Sequence, residues 1–313
     1  MQEASFRIPS PPGNSCMLLR WLVNNYLREA AQGKLQSVLA DTFRGGNPSA
    51  AAGVEGKESG PPELAPPCDV AIIFALGIEA GGMVDKMSGA SSTQCKSFME
   101  HAGSVNGKEV VIAESGAGLE AAAAATAEVI KFHEPAWVIS AGFAGGLAEG
   151  PNKGDFLMAD QVVNLKGERL EVGLKLSPEA IAATKRLHVG RLLSVDKLIG
   201  LPAEKRKLGE AHQALACDME SFAVADTCRR LKTRFLSVRI ISDGVDDQLP
   251  KEVEQLMKQT TLGAKLASAA KAVYSRPQSA ADMWKLQEEA LKASDRLARF
   301  LVSMLPQLTA GKG

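Results

Sequence analysis

The sequence has no excess of either charge: 36 Lys and Arg stand against 36 Asp and Glu, for a formal net charge of zero and a pI near 6.9. Proteins that track phosphate backbones draw affinity from counterion release onto a basic excess or stripe. Neither nucleic acid nor an anionic membrane surface is therefore an expected partner. Cysteine is scarce, and Cys16, Cys68, Cys95, Cys217 and Cys228 form an odd set with no CxxC pair and no histidine spaced for zinc. A disulfide framework, a metal site and a metal cofactor are not expected, and the thiols read as reduced. The four histidines, His101, His133, His188 and His212, fall in no nucleophile or metal motif and read as solvated or capping residues. No apolar run reaches the roughly 18 to 20 residues of a spanning helix. The first thirty residues lack a charged region followed by an apolar run and a small-residue cleavage site. The expectation is a cytoplasmic protein without an integral membrane segment.

What is present is enough apolar side chain, 45% of the chain, to bury a core in one large domain or two ordinary ones. Residues 1–67 differ in texture, with eight of the fifteen prolines and a Gly/Ala/Ser/Pro tract from Gly45 to Pro67 that reads as a flexible linker. Before it, Leu18, Leu19, Leu22, Val23, Tyr26 and Leu27 recur at helical spacing behind Asn14, a fitting N-cap, which predicts an amphipathic helix of about 25 residues. It can pack on the main domain or mediate self-association; its mixed charge makes a membrane surface the weakest option.

Residues 68–274 alternate between apolar runs and helical stretches. Val70–Phe74, Glu109–Ala113, Trp137–Ser140, Phe156–Ala159, Gly190–Ser194, Ala214–Cys217 and Arg234–Ile241 read as strands. Leu119–Phe132, Pro202–His212, Met219–Leu231 and Val253–Tyr274 read as helices. Strands apolar on both faces and separated by helices predict an α/β fold, a three-layer αβα sandwich around a mostly parallel mixed sheet. Residues 275–313 follow a Pro/Ser break. Ser279 and Asp282 have capping-box spacing, and Met283, Leu286, Ala290, Leu297, Leu301 and Met304 form one stripe of a last, core-facing helix.

In such a sheet ligands bind beyond the carboxyl ends of the strands. Val70–Phe74 leads to Glu79, an isolated carboxylate among apolar and glycine residues, where desolvation suits a general base, or where the helix dipole simply favours a glutamate. Glu109–Ala113 leads to Glu114-Ser115-Gly116-Ala117-Gly118-Leu119, whose free N–H groups and Ser115 hydroxyl can hold a phosphate, a water or a sugar oxygen. The turn lacks a P-loop lysine and the third glycine of a dinucleotide fingerprint. Ser140–Leu147, with Phe143 and Gly145, lets backbone approach a flat ligand. Asp218-Met219-Glu220-Ser221 and Arg239-Ile240-Ile241-Ser242-Asp243 each place a carboxylate at a strand end. Glu79, Glu220 and Asp243 on one rim would suit acid/base work on a neutral, hydroxyl-rich substrate.

In order and spacing these segments resemble the nucleoside phosphorylase superfamily over about residues 69–270, most closely its 5′-methylthioadenosine/S-adenosylhomocysteine nucleosidase branch. The stretch from Ser194-Val195-Asp196-Lys197 to Pro202-Ala203-Glu204-Lys205, followed by Asp218–Ser221, is similar to the hopanoid-associated subgroup, which acts on adenosylhopane. The resemblance implies that Glu79 activates water and that Asp243 protonates the purine at N7. It implies that Glu220 holds the ribose 2′- and 3′-hydroxyls, Met219 packs on the sugar, Ser115 lies near the nucleophile and Ser242 orients Asp243. Asp243 must then carry a proton that Glu79 and Glu220 have lost. Leu198 stands where the relatives place an aromatic residue, offering the purine an apolar face without stacking. Phosphorylases present arginines from the first glycine loop, and a carboxylate there favours water as nucleophile. The implied activity is hydrolysis of the N-glycosidic bond of a 5′-substituted purine nucleoside, without cofactor, by a homodimer. A phosphate-dependent phosphorylase and a non-catalytic nucleoside-binding protein on the same fold remain the alternatives.

Overall fold

The computed structural model describes residues 67–173, 176–249 and 277–308. The helices expected at the N-terminus and over Val253–Tyr274 lie outside the described residues. The chain divides into two units, residues 1–62 with 272–285 and residues 63–271 with 286–313. Of the first unit only the opening turns of the last helix are described. The sheet and all the side chains discussed below belong to the second.

Ten strands form one sheet. The apolar run Val70–Phe74 is β1, buried at every position. It pairs in parallel with β4 (Lys108–Glu114) on one side and with β5 (Trp137–Gly146) on the other. The connections from β1 to β4 and from β4 to β5 run in opposite directions across the sheet. Right-handed crossovers then put α1 (Gly77–Val84) on one face and α2 (Leu119–His133) on the other. Between α1 and β4 the chain makes an antiparallel hairpin, β2 (Ser88–Gln94) with β3 (Met99–Val105), which continues the sheet outward from β4. Ser-Gly-Ala-Ser-Ser-Thr-Gln is exposed at every position of β2, so it has none of the apolar alternation that marks a strand.

Beyond β5 the sheet closes on itself. The remaining elements are β6 (Phe156–Asn164), the short β7 (Arg169–Glu171), α3 (Pro178–Ala183), β8 (Leu187–Ser194), α4 (Pro202–His212), β9 (Ala216–Asp218), α5 (Ser221–Arg230) and β10 (Arg234–Asp243). Strand β5 pairs with both β10 and β9, and β6 and β8 link those two, so β5–β10–β6–β8–β9 is a continuous ring. The expected strand Trp137–Ser140 therefore runs on through its glycines to Gly146, because ladders on both sides satisfy its backbone.

The last helix, α6, spans Pro277–Met304. Its stripe residues Leu297, Leu301 and Met304 join Leu305 and Leu308 in the main core, with Ile72, Ile112, Ile139, Leu157 and Leu236 of the strands. Contrary to expectation, two histidines are core residues: buried His101 and His133 hydrogen-bond Glu114 and Glu100, and half-buried His188 bonds Asp155. No helix among the described residues is long and apolar enough to cross a membrane.

Candidate active site

Six strand ends meet around one cavity of about 490 Å³, a size suited to a small-molecule ligand. The register explains the convergence. Gly145 of β5 lies opposite Asp243 of β10 on one side and opposite Cys217 of β9 on the other. The chain leaving Cys217 carries Asp218, Met219 and Glu220 into the wall of the same cavity.

Glu79 is the third residue of α1. Its carboxylate accepts the backbone N–H of Leu76 at 3.0 Å, capping its own helix, and that of Phe143 at 2.8 Å, tying α1 to β5. The capping glutamate also lines the cavity. Burial pushes its carboxyl above the ordinary range, opposed by the Arg239 guanidinium and these backbone donors. Gly142 makes the approach feasible: its φ is +153°, and a Cβ there would lie 2.5 Å from Arg239 Nη1 and 2.7 Å from Glu79 Oε1.

Glu220 stands at the N-cap position of α5 and is buried, but its side chain caps no turn of that helix and instead accepts the N–H of Gly118, the residue before α2, on Oε1 at 2.8 Å. Burial, then the neighbouring Asp218 carboxylate, push it up to about 7, against the pull of Arg239. Asp243 closes β10. Its Oδ1 accepts from Ser242 Oγ at 2.5 Å and its Oδ2 from the Lys205 ammonium at 2.5 Å. The three carboxylates thus sit in unlike settings, though not in the expected sense. Glu79 and Glu220 are the ones whose burial favours a proton, while Asp243 is in an ion pair.

Phe143, Gly145, Leu198, Met219, Glu220 and Ser242 line the cavity beside Glu79 and Asp243. Ser115 and Gly116 do not. The Ser115 hydroxyl donates to the Phe74 and Gly116 carbonyls, and Ala117 is the residue of that turn that reaches the wall.

Three further charged residues complete the site. Arg239, fully buried in an apolar strand, reaches Ser140 Oγ at 2.6 Å, Ser221 Oγ at 2.9 Å and Asp218 Oδ2 at 2.6 Å through Nη2. Its Nε has no partner among the described residues. Asp218, itself a lining residue of the cavity, also accepts from Ser194 Oγ and the Ser221 N–H, linking β8, β9, α5 and β10. The third is Lys205. For Arg239 a signal existed, a lone charge inside an apolar run. Lys205 had none, since its neighbours Arg206 and Lys207 are exposed and a basic helix turn ordinarily faces solvent.

Lys153 and Lys197 also line the cavity, and α6 contributes Glu289, Ala290, Lys292, Ala293 and Arg296. The site is therefore not uniformly acidic, although Lys153 pairs with Glu289, Lys197 with Glu204 and Lys292 with Glu288. Helix α6 is also fastened to α1: Ser294 Oγ accepts the Gly82 N–H and donates to the Glu79 carbonyl, each at 3.0 Å.

Known proteins resemble this chain in sequence and in fold. A 5′-methylthioadenosine/S-adenosylhomocysteine nucleosidase of Staphylococcus aureus is 27% identical over 216 residues, covering 62% of this chain and 95% of the relative. The nucleosidase of the same name from Campylobacter jejuni superposes with a TM-score of 0.60 at 18% identity, covering 77% of this chain and 99% of its own. That of Colwellia psychrerythraea, solved in complex with adenine, gives 0.57 at 21% identity, over 79% and 98%. At these identities the solved structures establish the α/β fold. Residues 69–274 match the profile of one family, and the chain belongs to the phosphorylase superfamily.

Proposed function

We propose that this protein hydrolyses the N-glycosidic bond of a purine nucleoside carrying a 5′ substituent. The observation that carries the reading is the convergence of Glu79, Glu220 and Asp243 on one cavity with apolar walls at Leu76, Phe143, Val195, Leu198 and Ile199. Breaking such a bond passes through an oxocarbenium-like ribose, so carboxylates near the sugar stabilise developing positive charge while an acid assists the departing base. Glu79 takes a proton from water, Glu220 accepts the ribose hydroxyls, and Asp243, oriented by Ser242, serves the base. A protein that only bound nucleosides would need neither the base nor the acid. The nucleosidase names of the relatives support hydrolysis.

The test is release of free base from a panel of 5′-substituted adenosines and inosines, in phosphate-free and in phosphate buffer. Equal rates in the two buffers are expected. Strict dependence on phosphate would instead establish a phosphorylase, the second reading, which the basic residues on the cavity wall favour. Binding without release from any member would establish a nucleoside-binding protein. Likeness to the hopanoid-associated subgroup makes a large apolar 5′ substituent one member to include. We further expect a homodimer, measurable by light scattering, in the cytoplasm, where the four described cysteines, all free, would stay reduced.

A further inference from the structure

Lys205 is wholly excluded from solvent on α4 and does not line the cavity. A buried ammonium persists only when paired and hydrogen-bonded. Its Nζ donates to Asp243 Oδ2 at 2.5 Å and to the Gly244 and Asp247 carbonyls at 2.8 Å each. Three acceptors match its three protons. Asp243 meets the lysine on one oxygen and Ser242 on the other, so both of its carboxyl oxygens are occupied by donors. The other titratable groups around the pair are the Cys217 thiol and Asp218 of β9, with the Asp247 carboxylate accepting the Gly244 N–H. Arg239, the other buried cation of the site, is committed to Asp218. Glu79 and Glu220 line the same cavity as Asp243.

We propose that Lys205 is a positioning residue that governs the proton of Asp243, so that the Lys–Asp pair, not a lone protonated aspartic acid, supplies the proton to the departing base. This rests on the nucleosidase reading. In the resting site the shared proton is on nitrogen. As the bond from C1′ to the base breaks, one proton passes from Nζ to Oδ2 and from Asp243 to the purine nitrogen, leaving a neutral amine and a carboxylate. The attacking water gives its hydroxide to C1′ and its proton to Glu79. After product release Glu79 returns that proton to solvent and Lys205 takes one back, so the cycle balances as nucleoside plus water to ribose derivative plus base.

The experiment compares wild type with K205M, K205R, D243N and K205M/D243N. Turnover is measured on a 5′-substituted adenosine and on the matching 4-nitrophenyl riboside, whose leaving group needs no proton. K205M is expected to lose about 10²-fold or more in kcat on the adenosine, the usual weight of a general acid, while KM and nitrophenyl turnover change little. K205R keeps the charge but its guanidinium does not release a proton, so it should not recover the loss, and recovery would overturn the proton relay; the double variant should be no worse than D243N alone. Equal losses on both substrates would show a purely structural lysine and overturn the proposal. Infrared spectroscopy of the free enzyme supplies a readout that needs neither turnover nor K205M. A protonated carboxyl band at neutral pH that disappears in D243N would overturn the proposal even if K205M fails to fold. No base release by wild type from any nucleoside would defeat the nucleosidase reading instead, with the infrared result still deciding where the proton resides.

Discussion

Burial gives two carboxyls of this site a higher proton affinity than they have in water, and the sign of that effect can be followed into stability. Glu220 titrates near 7 in the folded protein, above its ordinary 4.5, so the folded state binds its proton more tightly than the unfolded state. Its contribution to stability is fully present below about pH 4.5 and is lost as pH rises through 7. E220Q removes this dependence. From pH 5 to pH 8 its stability should improve relative to wild type by on the order of 1 to 3 kcal/mol, measured by denaturant unfolding at each pH. Glu79 has no substitute as a base in the proposed reaction, so E79Q should nearly abolish turnover while nucleoside binding, followed by calorimetry, survives. Retained turnover would remove Glu79 from the mechanism. These carboxylates were legible in the sequence because each follows an apolar strand or opens a helix. The roles of Arg239, Asp218 and Lys205 were not, because a buried charge is tolerated only through partners from other segments, and those partners are set by the fold.

At the level of elements, the parallel strands and the helices between them could be read from apolar runs, and α4 occupies Pro202–His212 as its pattern predicts. The hairpin β2–β3 could not be read, since exposed serines and threonines carry no periodicity. The extension of β5 was hidden by glycines that ordinarily signal loops. One glycine shows what the elements require of each other. A Cβ on Gly82 of α1 would lie 2.7 Å from the backbone of Ser294 in α6, so the two helices touch backbone to backbone. G82V should force them apart, costing about 1 to 3 kcal/mol as overpacking does. Because Ser294 bonds the Glu79 carbonyl, the same substitution should lower kcat more than it raises KM. Thermal unfolding and steady-state kinetics on one preparation test both effects, and unchanged kcat in a destabilised variant would separate helix docking from catalysis.

For the molecule as a whole, the C-terminal residues are part of the core. Leu297, Leu301, Met304, Leu305 and Leu308 are all buried in the main cluster. At about 1.5 to 3 kcal/mol per side chain, their loss amounts to on the order of 10 kcal/mol, comparable with the whole stability of a typical domain. A chain ending at Lys285 should therefore fail to fold, seen as lost circular dichroism and aggregation on gel filtration. A folded, active product would contradict the packing described. The closed ring has a consequence for how the molecule is made. Its β5–β10 seam, from Trp137 with Arg234 to Gly145 with Asp243, joins segments roughly 100 positions apart, so loop-closure entropy must be overcome before their contacts are gained. Wing strands β1 to β4 come from neighbouring sequence and can pair before that seam closes. Asp243 meets Gly145 only when it does, so catalytic competence should be among the last properties a refolding chain acquires, trailing the recovery of secondary structure.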